Sequence, residues 1–212
     1  MTPEFAKAVD PVFLSVLRLL ERIGNGEHVS VEDERARIKG RLDQAAAMLG
    51  QGPDWQIARY ALVSWIDEVL IDAPWQYSEW WKEHTLESED FKTQDRSEQF
   101  YLKAKEAAGL RSKDALEVFY VGVVLGFRGL YRYPERAAAL CGPFELAPDL
   151  ETWAKQTAMA IQLGRGRPPI SEASAPIEGA PPLEGRFTLL WAAIVGTILS
   201  VLAVMIYLFV RT

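Results

Sequence analysis

Cysteine and histidine are nearly absent from this chain. A single cysteine, Cys141, excludes an intrachain disulfide and suits a reducing compartment. It reads as an ordinary small buried or helix-end residue. The two histidines, His28 and His84, stand in no ligand-spaced pair with Cys141 or with each other, which argues against a zinc site. Walker-type loops, GxSxG elbows and glycine-rich nucleotide turns are missing too, so no metal, cofactor or catalytic residue is expected. Positive charge is the scarcer sign: residues 1–186 carry 22 basic and 29 acidic side chains. Such an acidic domain is a poor nucleic-acid binder and has no general attraction to anionic lipid. Strand signals are scarce, and no solenoid-length repeat is present. An export signal is lacking as well. The first apolar stretch, Val12 to Leu20, is interrupted by Arg18, preceded by Lys7 and Asp10, and followed by no small-residue cleavage site.

What the chain does have is one long uncharged run. Phe187 to Val210 is 24 residues without a charge, bounded by Arg186 and Arg211. As a helix it reaches roughly 36 Å, enough to cross a hydrocarbon core of about 30 Å with some tilt. Only Arg211 and Thr212 follow it, as a short periplasmic tail. Arg165, Arg167 and Arg186 precede the run and Arg211 stands alone after it, which favours an N-terminal domain on the cytoplasmic side. Residues 165–186 form a Pro-rich linker, with five of the twelve prolines and no helical or strand period. It reads as disordered, reaching about 25 Å as a flexible coil. Residues 1–164 remain for one domain with a proper core.

Helical periodicity dominates that domain. Asp10-Pro11 reads as a cap and first-turn pair opening a helix whose stripe is Val12, Phe13, Val16, Leu17, Leu20 and Ile23. Ser30 caps a second helix with an acidic first turn, and a third, unusually apolar helix runs from Asp54 to about Asp72. Further helices are expected near Ser78–Leu86, Arg96–Ala108, Ser112–Phe127 and Pro134–Leu140. Asp149 caps a last one, ending near Leu163. The fold class is all-α, a bundle of about seven to eight helices.

Two clusters stand out. In the first, Asp67 and Glu68 interrupt the most apolar helix, and five of seven tryptophans (Trp55, Trp65, Trp75, Trp80, Trp81) fall between positions 55 and 81. Carboxylates there should be paired, capping a nearby helix, or lining a groove. Neighbouring helix positions point about 100° apart, so the two cannot serve one reacting centre as an acid/base pair. Glu68 and Asp72 are better aligned. Trp80 and Trp81 cannot easily both be buried on one helix, which leaves one for a partner. In the second cluster, Leu125 to Arg132, Gly122 and Gly126 allow close helix approach and Gly129 suits a helix-ending turn of positive φ. Arg128 and Arg132 are placed to fold back onto carboxylates. In the uncharged run, Ala192, Gly196 and Ser200 recur every four residues, a stripe permitting close helix packing, with Trp191 and Tyr207 near the two interfaces.

Ala58-Arg59-Tyr60-Ala61-Leu62 with Ile66-Asp67-Glu68 and Pro74-Trp75, followed by Leu125-Gly126-Phe127-x-Gly129-x-Tyr131-Arg132, resembles the DotU/IcmH family, called TssL in type VI secretion. The resemblance covers roughly residues 10–135 and the architecture of the tail. The stretch Glu83–Gln99 lacks the family's glycine-rich pattern, and the chain does not continue into a peptidoglycan-binding domain. The resemblance implies a hook of helices with a cleft and a non-enzymatic, single-pass subunit of a bacterial inner-membrane secretion complex. It also implies an IcmF/TssM-like membrane partner and cytoplasmic baseplate partners of the TssK/TssE type, with self-association left open. On it, Asp67 and Glu68 fall at an acidic cleft position as baseplate contacts, held by Trp65 and Trp75; Trp75, Trp80 and Trp81 are the further partner-binding candidates. Gly122, Gly126, Phe127, Gly129, Tyr131 and Arg132 would be a structural motif. The alternative is a tail-anchored enzyme or adaptor using the acidic cleft around Glu68 and Asp72.

Overall fold

The computed structural model describes residues 1–164 and 195–197. The linker assigned to 165–186, most of the span assigned to 187–210 and the tail at 211–212 lie outside the described residues. So do Ala192 and Ser200. Gly196 falls in a short helical turn and is exposed. No helix among the described residues is long and apolar enough to cross a membrane.

The first 164 residues are all-helical. The order is α1 (Pro3–Gly24), α2 (Val31–Leu49), α3 (Pro53–Asp72), α4 (Ser78–Glu83), α5 (Leu86–Phe91), α6 (Arg96–Gly109) and α7 (Asp114–Val124). A 3-10 turn (Gly129–Arg132) follows, then α8 (Pro134–Phe144) and α9 (Leu150–Gly164). The helix α3 is the axis of the bundle: residues 60–68 are buried without interruption, and α1, α2, α4, α5, α6 and α7 all pack on it. The nearly continuous apolar middle of this helix has no solvent face to offer and is wrapped on every side, while Gln56 and Asp72 towards its ends stay exposed. The core against it includes Phe13, 4.9 Å from the Trp65 ring, and Phe100, stacked at 3.8 Å on Phe127 and edge-on to Phe119 at 4.8 Å. Truncating a ring such as Phe100 in this setting costs about 3–5 kcal/mol.

Several boundaries differ from the sequence expectation: α4 stops at Glu83 rather than Leu86, α8 runs on to Phe144 rather than Leu140, and two others show why. The helix α1 starts eight residues before Pro11, which lies inside it. Thr2 is its cap, accepting from the Phe5 N–H at 3.4 Å, with Pro3 in the first turn. Phe5, Ala8 and Val9 carry the apolar stripe backwards onto the core. Their burial outweighs the one hydrogen bond that Pro11 cannot donate. At the other end of the bundle, α7 stops at Val124 rather than near Phe127. Gly126 (φ +114°) and Phe127 close it: the Phe127 N–H reaches the Gly122 carbonyl at 3.0 Å and the Gly126 N–H the Val123 carbonyl at 3.1 Å. That pair of bonds is the Schellman arrangement. The short helix α5 has no counterpart in the sequence reading.

Candidate functional site

The carboxylates of Asp67 and Glu68 leave α3 in different directions, as adjacent helical positions must. Asp67 is completely buried. Its Oδ1 accepts the indole N–H of Trp81 at 2.9 Å and the Leu86 N–H at 2.9 Å, while Oδ2 accepts the Glu87 N–H at 2.8 Å. Leu86 and Glu87 are the first two residues of α5, whose N–H groups have no partner inside the helix. A side chain from α3 therefore caps α5 and anchors α4 through Trp81. Burial pushes the Asp67 carboxyl up to about 6, against the three donors and Arg96, which favour the charged form.

Behind this cap lies a second buried acid. Glu87 has no exposed surface, and its Oε1 accepts from the Tyr60 hydroxyl and the Thr93 hydroxyl at 2.9 Å and from the Asp95 N–H at 3.1 Å. Arg96 stands 3.7 Å from its Oε2. Burial, then the charge of Glu87, pushes the Tyr60 phenol well above its ordinary value.

Glu68, 7% exposed, faces the other way. Its Oε1 accepts the N–H groups of Arg128 and Gly129 at 2.7 and 3.1 Å, and Arg132 closes on it at 3.0 Å. Arg132 also donates to Asp72 Oδ1 at 2.9 Å, making a fork across Glu68 and Asp72. The two sequence clusters thus meet in space. Tyr101 donates to the Arg128 carbonyl at 2.7 Å and Tyr131 to the Ala147 carbonyl at 2.7 Å, tying the turn to α6 and to the segment after α8.

The remaining sequence candidates fall around this double clasp. Trp65 is buried, with its indole N–H aimed at the Leu125 carbonyl at 3.4 Å. Trp75 is half-buried and donates to the Leu70 carbonyl at 2.8 Å. The tryptophan that holds Asp67 is therefore Trp81, not Trp65 or Trp75. Of the adjacent pair, Trp81 is fully buried while Trp80 is half-buried, stacked at 4.4 Å on His84. Arg35 of α2 lies 5.0 Å from the Trp81 ring and 5.8 Å from that of Trp80.

The glycines divide their work differently from the expectation. Gly126 admits no close approach, since a Cβ there would meet nothing within 4 Å; its positive φ is what α7 needs to end. Gly129 (φ +47°) is the crowded position: a Cβ would stand 2.6 Å from Phe127 Cε1 and 2.9 Å from the Ser97 carbonyl oxygen. Gly122 lies under Phe100 and Trp65, which an added Cβ would touch at 3.5 and 3.6 Å. Arg128 does not fold back. Its side chain is exposed, and only its backbone enters the clasp.

Sequence reasoning missed Glu87, Arg35 and the capped helix α5. Thr85-x-x-Ser88 is a visible local signal, because the Thr85 hydroxyl accepts the Ser88 N–H at 3.3 Å, but the main cap comes from nineteen residues upstream.

Chemically, the arrangement binds and braces. Glu68 and Asp72 converge on a shared guanidinium rather than on an open centre. Among the described residues no group of three or more His, Cys, Asp or Glu side chains is placed to hold a metal. Comparison with the curated proteins and with solved structures gives no match. A family model described as "Type VI secretion system protein DotU" matches residues 4–212, nearly the whole chain, and with it both clusters joined by the clasp. The chain belongs to the DotU family and is a component of a type VI secretion system.

Proposed function

We propose that this protein is a non-enzymatic structural subunit of the secretion system's inner-membrane complex. On this reading residues 187–210 are its single C-terminal transmembrane helix, residues 1–164 lie in the cytoplasm and residues 211–212 in the periplasm. The subunit stabilises an IcmF/TssM-like membrane partner, with Ala192, Gly196 and Ser200 as the close-packing stripe of the span. It docks baseplate components of the TssK/TssE type through the helical domain.

The observation that carries the reading is the double clasp. Two acids on the central helix are spent on holding α4–α5 and the turn at 129–132, which fixes the surface those elements present. Trp75 and Trp80 remain half-buried at that surface. Large aromatic side chains with one face open are favoured anchors of protein interfaces. In this proposal Trp75 and Trp80 touch the baseplate partner, while Asp67, Glu68 and Trp81 set their positions from behind.

The test is a mild-detergent pull-down of the full chain from its native membrane, with co-purifying proteins identified by mass spectrometry. An IcmF-like subunit together with baseplate proteins is the expected recovery. Recovery of neither, from membranes where the secretion system is expressed, refutes the proposal.

A further inference from the structure

A second surface on the domain has the opposite electrostatic character. Between α1 and α2 a groove of about 420 Å³ is lined by Leu14, Arg18, Arg22, Glu34, Arg37 and Arg41. Four arginines meet there on a chain whose net charge is −6. Each helix carries its pair at i and i+4 (Arg18 and Arg22; Arg37 and Arg41), a like-charge spacing that opposes helix formation. The inner end is already neutralised. Glu34, only 4% exposed, accepts from Arg22 at 2.6 Å and from Arg37 at 2.7 Å. The outer end is not. Among the described residues Arg18 makes no ion pair, and Arg41 donates only to Gln44, at 3.0 Å. Beside them Leu14 leaves 49% of its surface in solvent. Arg35, which faces Trp80 and Trp81, lies on the other side of α2, about 200° around the helix from Arg37.

We infer that this α1–α2 groove is a docking site for an acidic, apolar-anchored segment of a partner protein, with Arg18 and Arg41 pairing its carboxylates and Leu14 its apolar side chain. Guanidinium groups are strong charge-assisted donors to carboxylates, and Glu34, accepting from Arg22 and Arg37, shows such pairing already built inside the same groove. A phosphate or a lipid headgroup would use the charges and leave Leu14 uncovered, so the protein segment fits better. The local positive field on an acidic domain also steers an acidic segment to this face in preference to the rest of the surface. The site is independent of the Trp75/Trp80 face, and either assignment can fail without the other.

The experiment is fluorescence anisotropy with the full chain in neutral detergent. The probe is a short labelled helical peptide bearing glutamates at i and i+4 around one leucine. Expected are saturable binding that weakens with added salt and about tenfold weaker binding of the glutamine version of the peptide. Arg18→Gln/Arg41→Gln and Leu14→Ser should each weaken binding, with unchanged circular dichroism and urea midpoints. Neither arginine holds a carboxylate among the described residues, so the folded control is available; Arg18→Glu/Arg41→Glu strengthens the contrast. Equal binding of the two peptides, or undiminished binding by Arg18→Gln/Arg41→Gln, overturns the inference. So does a chain that ignores the peptide but takes up phosphatidylserine in mixed micelles in an Arg18/Arg41-dependent way, which would make the groove a lipid site.

Discussion

Replacing Asp67 tests the central claim that this carboxylate is an internal cap. In Asp67→Ala three buried donors lose the acceptor they have among the described residues: the Trp81 indole and the N–H groups of Leu86 and Glu87, now held at 2.8–2.9 Å. A buried donor left unsatisfied costs about 1–3 kcal/mol, so the three together threaten a loss of about 3–9 kcal/mol. Whole domains are worth about 5–15 kcal/mol, so such a loss is not a small perturbation. The chain has a cheaper escape. Opening α4 and α5 lets water satisfy the two backbone donors, and the cost then stops at the price of undocking those two short helices. The prediction is therefore regional. Hydrogen exchange in Asp67→Ala should accelerate strongly over residues 78–91, and the urea midpoint should fall, while α1, α2 and α9 keep their relative protection. Asp67→Asn keeps the acceptor toward Trp81 and Leu86 but turns an amide N–H₂ toward the Glu87 N–H, so its loss should be intermediate, about 1–3 kcal/mol. Asp72→Ala, at an exposed site, should cost under about 1 kcal/mol. Wild-type exchange and an unshifted midpoint in Asp67→Ala would refute the cap.

The same carboxyl makes stability depend on pH. Its folded value of about 6 lies above its unfolded value, so the native state holds the extra proton between roughly pH 4 and 6. Stability from this group is full below that window and is lost as pH rises through it, by about 3 kcal/mol relative to Asp67→Asn. Urea midpoints of both chains at either end of the window measure it, and parallel profiles would contradict it. Gly129→Ala should destabilise by about 2–4 kcal/mol, from left-handed strain plus the clash with Phe127 and the Ser97 carbonyl. Gly122→Ala, where a Cβ finds only ordinary contacts, should cost about 1 kcal/mol or less, and thermal unfolding of the pair ranks them. Trp80→Ala should leave circular dichroism unchanged yet reduce recovery of baseplate proteins in the pull-down; equal recovery would remove Trp80 from the docking face.

Much of the helical framework is legible because the physics behind it is local. Ser30 caps α2, accepting from Asp33 at 3.2 Å, and Asp149 caps α9, accepting from Thr152 at 2.8 Å; both signals sit within three residues of what they stabilise. The burial of the middle of α3 follows from its apolar composition. Where the reading slipped, the deciding interaction was distant or competitive. Asp10-Pro11 satisfies every local rule for a helix start, yet Phe5, Ala8 and Val9 bury enough surface to carry α1 through the proline. Six residues are too few for α5 to show a period, and its cap belongs to another helix.

The acidic pair shows where local reasoning reaches its limit. Sequence permits three fates for a carboxylate in an apolar helix: paired, capping, or lining a groove. Docking by direct contact would need the third. The side chains realise the first two, with Asp67 on α5 and Glu68 on the 129–132 turn and Arg132. Direction decided among the fates, and direction depends on which elements pack on each side of α3, something no window of residues encodes. It also changes what a charge reversal would mean. Asp67→Lys/Glu68→Lys would bury two cations against N–H donors, so loss of partner binding in that variant would come with loss of the fold. Any test of docking must therefore be made at Trp75 and Trp80, where the same clasp can stay intact while the surface changes.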